Sequence, residues 1–370
     1  MRATVMFVLL AAIAVIPAQA EIVQVEIRGV VEWNAVRAPA AFNRDVVFSG
    51  DAVVVSFQVD SDNYVDSMYF PTRGYVVIPE SYTLTFEAAT GPIVTPFPDP
   101  YYPPGATPFF VVQDNDPRVD GFFVSTNSVD YPFSYLYVDA PARLDPYFQQ
   151  IFEVSYPEDR LPSLDILDAV GFYDYAGLSR YYMGMLDAFA DAMGIMYENM
   201  TISRIPVDVP VDIKPGSCPN PFNMRGMGNL PVAILGTPDL DVSTIDPASI
   251  RLAGVAPLRS GYEDVGAPFM PYVGKEDCDL DCHETESDGY MDLTLKFDTQ
   301  EVVAALADAT GCVAVELTGN FWPEYGGGPI AGEDVVRTMR TATTRTAANR
   351  IVEQGARPAD LTTQPIRPRN

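Results

Sequence analysis

The sequence predicts an all-β protein, with two antiparallel β-sandwich domains in tandem after a signal peptide. Three observations lead there. Apolar and polar residues alternate with a period of two in many short runs. Each run is bounded by Gly, Asp or Pro, the punctuation of hairpins. Proline (33) and aromatics (20 Tyr, 20 Phe) are abundant, which favours strands and ordered loops over helices.

Residues 1–20 read as the signal peptide. Met1-Arg2 is a basic start, Val5 to Ile16 is apolar, and Pro17 precedes an Ala18-Gln19-Ala20 cleavage signal, so the mature chain is expected to begin at Glu21. The apolar run is shorter than the roughly 20 residues a membrane helix needs, and no later segment is long or apolar enough to span.

The N-terminal domain is expected over 21–205. Val23, Val25 and Ile27 alternate with Gln24, Glu26 and Arg28, a half-buried strand. Ser49-Gly50-Asp51 is a turn, followed by alternation from Val53 to Asp60 and again from Tyr82 to Glu87. Seven prolines between Pro92 and Pro108, with Phe97, Tyr101 and Tyr102 among them, mark a stiff surface loop. Its aromatics either stack on sugar rings or fold back over the sheet as a lid, and the lid is the preferred reading. Phe122 to Val124 and Phe133 to Tyr137 add strands. Residues 178–202 fit a helical stripe and also a hairpin turning near Asp187 to Gly194, and the hairpin keeps the domain all-β. An initial strand, a strand opened by Gly50-Asp51, the Asp120-Gly121-Phe122 segment and the Leu161–Asp165 element together resemble the β-rich domains of bacterial proteins sorted by exosortase, the PEP-CTERM proteins. A terminal PEP box, apolar helix and basic stop are not seen, so anchoring by that route is not expected.

Ile205 to Pro210 reads as a linker, and a second module is expected over 206–336. Short apolar segments at Ile234-Leu235, Ile250 to Leu252, Leu293 to Phe297 and Val313 to Leu317 supply its strands. The run Val211 to Asn220, then Pro231 to Gly236, then Asp241 to Pro247 resembles an uncharacterised bacterial secreted module with the pattern DIKPGS…PVAILG…IDP, over residues 211–335. That resemblance implies an exported, strand-rich domain with no catalytic residues to carry over. Residues 337–370 read as a basic tail, disordered or forming a marginal helix near Thr338 to Glu353.

The formal charge is −27, but the chain from Val336 onward holds seven Arg against Glu353 and Asp360, a net of +5. Removing that and Arg2 leaves −33 on residues 21–335. A body this acidic repels nucleic acid and anionic membranes. Only one histidine is present, so a His-based triad must use His283. Four cysteines, Cys218, Cys278, Cys282 and Cys312, suit two disulfides in an oxidising compartment, with three pairings open.

The metal candidate lies in the acidic segment Glu276 to Asp292. Calcium takes six to eight oxygens from alternating loop positions, with Gly at position six. Glu284 at position one places Glu286 at three, Asp288 at five, Gly289 at six, the Tyr290 carbonyl at seven and Asp292 at nine. The spacing resembles the calcium loop of dockerins. Glu replaces the shorter acid twice, and Leu295 stands where a bidentate Glu would be, so the expected affinity is that of extracellular modules, roughly 10⁻⁴ M. A solvated acidic turn is the plainer reading of the same residues. Zinc or haem at Cys278, Cys282 and His283 is disfavoured by ligand count and spacing.

The expected function is therefore an exported, non-enzymatic, calcium-binding protein with a binding, adhesion or surface-structural role, its partner an extracellular glycan or surface protein. The alternative is a secreted polysaccharide-active enzyme or its carbohydrate-binding accessory, resting on the aromatic loop and the carboxylates.

Overall fold

A computed structural model describes residues 21–114, 120–130, 135–139, 147–156, 158–174, 183–186 (backbone only), 191–282, 284, 287–307 and 309–339. The chain forms two compact units. One takes the chain to Val209 with Gly236–Arg251 and Leu317–Gly332; the other takes Pro210–Leu235, Leu252–Glu316 and the chain from Glu333. The class is all-β.

In the first unit, β1 (Ile22–Asn34), β2 (Ala52–Asp66), β3 (Thr72–Val77), β4 (Thr83–Ala88), β5 (Gly91–Thr95), β6 (Pro108–Gln113) and β7 (Asp120–Thr126) come in sequence. They are followed by β8 (Leu136–Asp139), β9 (Tyr147–Gln150), β10 (Glu153–Tyr156), β11 (Gly171–Asp174), β12 (Met183–Leu186) and β13 (Ala192–Arg204). All thirteen join one sheet, in the order β10-β7-β6-β3-β2-β1-β13-β12-β9-β8, with β4 on β2, β5 on β4 and β11 on β13.

The alternation read from sequence is the alternation of burial. Val23, Val25 and Ile27 in β1, and Val53, Val55, Phe57 and Val59 in β2, face inward and are fully enclosed. They pack with Phe42, Phe86, Phe110, Phe122 and Phe148 into one apolar core, the dominant favourable term in folding. Gly29 sits where the β1–β13 register slips, and a Cβ there would meet the Met196 carbonyl oxygen at 2.4 Å. The 178–202 ambiguity resolves as the hairpin, because β12 pairs antiparallel with β13 at Met185↔Met193. Residues 178–182 and 187–190 lie outside the described residues.

β14 (Val207–Asp208) occupies the expected linker. In the second unit, β15 (Val211–Ile213), β16 (Pro221–Asn223), β17 (Asn229–Ile234), β18 (Arg251–Leu252), β19 (Arg259–Glu263) and β20 (Asp292–Asp298) lead into helix α1 (Thr299–Leu306). β21 (Cys312–Asn320) and β22 (Pro329–Met339) follow, each contributing residues to both units, and the last strand enters what the sequence suggested was tail. The order β15-β17-β20-β19 makes one antiparallel sheet. β22 accepts two short parallel partners, β14 at Val207↔Ile330 and β16 at Pro221↔Arg337. The helix was not expected from the sequence. Asp298 caps it, its Oδ1 accepting from the Gln300 and Glu301 amides at 2.8 and 3.2 Å.

Candidate functional site

The cysteines of the acidic segment pair outward. Cys218 bonds Cys282 and Cys278 bonds Cys312, so the segment is tied at two points to distant parts of its own unit. With all four sulfurs in disulfides, no thiolate remains for a metal.

The calcium candidates are only partly gathered. Asp288, Gly289 and Tyr290 form an exposed turn in which Gly289 has φ 98° and Asp288 Oδ1 accepts from the Tyr290 amide at 3.0 Å. Asp264, which sequence reasoning missed, faces the same turn, its carboxylate accepting from the Asp288 and Gly289 amides at 3.1 and 2.9 Å. Glu284 is exposed. Asp292 differs, being fully buried at the start of β20 with Oδ2 accepting from the Val265 and Gly266 amides at 2.7 and 3.2 Å. Glu286 and His283 lie outside the described residues. Among the described residues, no group of three or more His, Cys, Asp or Glu side chains is placed to hold a metal ion.

The strongest electrostatics of the second unit lie in a cluster the sequence reading passed over. The Lys275 ammonium stands 3.5 Å from Asp334, and both side chains are only 3% exposed. Asp334 Oδ2 also accepts from the Ile213 amide at 2.7 Å and from Asn220 Nδ2 at 2.8 Å. Burial nevertheless outweighs these partners and raises the Asp334 pKa. Asp212, on β15, is pushed up to about 7, first by burial and then by the charges of Asp334 and Asp292, with Lys275 opposing. Asp212, Lys275 and Asp334 line a space of about 10 Å³, room for about one water. The sequence signal was available in β22, where Ile330, Gly332 and Asp334 share the inward register, putting a carboxylate where an apolar residue is expected.

The two motif groups singled out in the sequence both make bracing contacts within their own units. Within the DIKPGSCPN run, Lys214 and Gly216 both take positive φ (64° and 82°). Asn220 reaches Asp334, and also the Val335 carbonyl at 3.1 Å. In the first unit the buried Asp120 carboxylate accepts the Arg160 amide and, at 2.8 Å, the Leu161 amide. The Asp120-Gly121-Phe122 and Leu161–Asp165 segments are therefore one structural joint.

The proline-rich loop folds back as a lid. Phe97 is 5% exposed and stacks on Tyr82 with centroids 3.8 Å apart. The Tyr101 hydroxyl lies 2.8 Å from Thr126 Oγ1. Tyr102 of the same loop is exposed, as are single aromatics such as Trp33, Phe48 and Phe172, whereas several exposed apolar side chains lie together at the tip of the β2–β3 hairpin. Met68 is 88% and Tyr69 77% exposed, with Phe70, Tyr64 and Val65 also open. The tip is nonetheless tightly braced. Ser67 Oγ accepts from the Tyr69 and Phe70 amides at 3.0 and 2.9 Å and donates to Asp130 Oδ1 at 2.6 Å. Thr72 Oγ1 donates to the Val129 carbonyl at 2.5 Å. Arg73 stacks over the Tyr64 ring at 3.9 Å and makes a two-pronged pair with Asp66 at 2.6 and 3.1 Å.

A cavity of about 200 Å³ in the first unit is walled by Ile22, Ile205, Pro206, Val207, Phe321 and Tyr325, with Glu21 at its side. Burial raises the Glu21 pKa, against the pull of Arg204 at 3.3 Å. Arg204 also donates to the Gly326 carbonyl at 2.8 Å.

The chain matches no family model, no curated protein and no solved structure. No helix among the described residues is long and apolar enough to cross a membrane.

Proposed function

We propose an exported, non-enzymatic, calcium-binding β-protein with a binding, adhesion or surface-structural role, whose recognition surface is the β2–β3 tip. The observation that carries this is the tip itself. Large apolar side chains are held open to solvent on a backbone braced by Ser67, Asp130 and Thr72. Rigid exposed apolar groups are characteristic of interaction sites, because pre-organisation lowers the entropy lost on binding. Its expected partner is an extracellular glycan or a surface protein.

Export is supported by the basic-apolar-AQA start and by two disulfides, which suit an oxidising compartment. The resemblance of residues 211–335 to a secreted module points the same way. A non-enzymatic role is supported by the Asp212–Asp334 pair, which faces room for a single water, too little for a sugar. Calcium is supported by the Gly289 turn, where Asp264 and Asp288 each present a carboxylate to successive backbone amides.

A glycan and surface-protein panel scored for both binding and turnover tests the reading. The wild type should bind, and Met68→Ser/Tyr69→Ser/Phe70→Ser should not. Binding unchanged in that variant removes the tip from the proposal, and released sugars would overturn the non-enzymatic assignment. For calcium, the melting temperature should rise in millimolar calcium relative to chelator, and Asp288→Ala should abolish the rise. An unchanged wild-type melting temperature would exclude the site.

A further inference from the structure

The hairpin tip also suggests which surface protein it takes, an inference that rests on its reading as a recognition surface. We propose that the tip of one copy binds the Arg-rich segment 340–370 of another copy of this chain.

Charge and side-chain chemistry both favour this occupant. The tip combines the Tyr64, Tyr69 and Phe70 rings and Met68 with two carboxylates, Asp66 paired to Arg73 and Asp130 held by Ser67. Its fitting partner therefore mixes guanidinium groups with small apolar side chains. Segment 340–370 has that composition, with six Arg against Glu353 and Asp360, and with Ile351, Val352, Leu361 and Ile366 between them. The remainder of the mature chain is strongly acidic, so body-to-body approach is repulsive and this segment is the basic run able to offset it.

The tip already holds one such contact, because Arg73 lies 3.9 Å over Tyr64. Tyr69, at 77% exposure, offers a further ring for a guanidinium from outside. Reach is sufficient, since 31 residues follow Met339 and an extended chain covers roughly 3.3 Å per residue, on the order of 100 Å. Tip and tail are different patches, so the contact is heterologous, closing by reciprocal exchange or as a ring where the geometry permits and propagating from copy to copy where it does not.

The test uses the full chain, the variant Met68→Ser/Tyr69→Ser/Phe70→Ser, and a labelled peptide of residues 340–370. Light scattering at low salt should show concentration-dependent association of the wild type, reversed by high salt or by excess peptide, while the variant stays monomeric. Anisotropy should show the peptide binding the wild type at least about tenfold more tightly than the variant. All three substituted side chains are exposed, so an unchanged far-UV circular dichroism spectrum is expected.

Equal peptide affinity for both proteins would mean diffuse attraction to an acidic body and would overturn the proposal, as would a monomeric wild type. If the variant loses binding on the glycan and surface-protein panel while the peptide does not distinguish it, the tip remains a recognition surface whose partner is not the tail. If the variant keeps panel binding as well, both readings fall.

Discussion

Replacing Asp212 with Asn should stabilise the second unit at neutral and alkaline pH. Its carboxyl titrates near 7 in the folded chain, against 3.8 for the ordinary group, because it is enclosed beside Asp334 and Asp292. Between about pH 4 and 7 the folded state therefore holds a proton that the unfolded state has released. Stability falls as pH rises through that window, and the cost is fully present above 7. A displacement of about three units, at 1.36 kcal/mol each, sets an upper value of about 4 kcal/mol, and residual solvent contact reduces it to roughly 2–4 kcal/mol. Asn keeps the shape and cannot ionise, so it removes the penalty and flattens the profile. Lys275 retains Asp334 as its partner. The assay is hydrogen exchange of the 211–234 region in the full chain from pH 5 to 8, with rates corrected for intrinsic pH dependence. The wild type should lose protection as pH rises, and Asp212→Asn should not. An Asn variant with the wild-type slope, or one less stable at pH 8, would refute the reasoning.

Other substitutions probe the scaffold. Gly121→Ala puts a Cβ 2.2 Å from the Val154 carbonyl oxygen and should break the β7–β10 pairing, costing on the order of 2–4 kcal/mol in urea unfolding. Asp120→Ala removes the acceptor for the Arg160 and Leu161 amides and should cost about 1–3 kcal/mol, with new proteolytic cleavage near residue 160 as the readout. Cys278→Ser/Cys312→Ser opens a loop of 34 residues and should cost about 2–5 kcal/mol, lowering the urea midpoint of the second unit. Arg204→Met leaves Glu21 without its cation beside the cavity, and should raise the Glu21 titration further, visible by carbonyl NMR.

The fold class was legible because a two-residue period survives in single runs. Val23-Val25-Ile27 and Val53-Val55-Phe57 need no partner to be recognised as half-buried strands. Helix α1 was equally open to reading, since Asp298-Thr299-Gln300-Glu301 is a capping pattern, yet at eight residues it carries only a short apolar stripe. The charge cluster was harder. Asp212, Lys275 and Asp334 are far apart in the chain, and only tertiary folding reveals that they share one enclosed space. Asp292 shows the converse, fitting the spacing of a calcium loop while its Oδ2 accepts from the amides of Val265 and Gly266. A linear motif records which oxygens are available, not which backbone groups claim them first. The tip was missed because Met68-Tyr69-Phe70 looks like any apolar run until its exposure is known.

The position of β1 has a consequence for biogenesis. It is the earliest described strand, yet it lies inside the sheet between β2 and β13, with Val23 opposite Val59 on one side and Arg204 on the other. A chain emerging from its N-terminus can zip the first edge at once. The second edge must wait until nearly all of that unit has appeared, and until then a row of unpaired amides and carbonyls stays open. A chain threaded across a membrane before folding avoids this interval inside the cell, whereas expression without translocation leaves that edge free for pairing with other nascent chains.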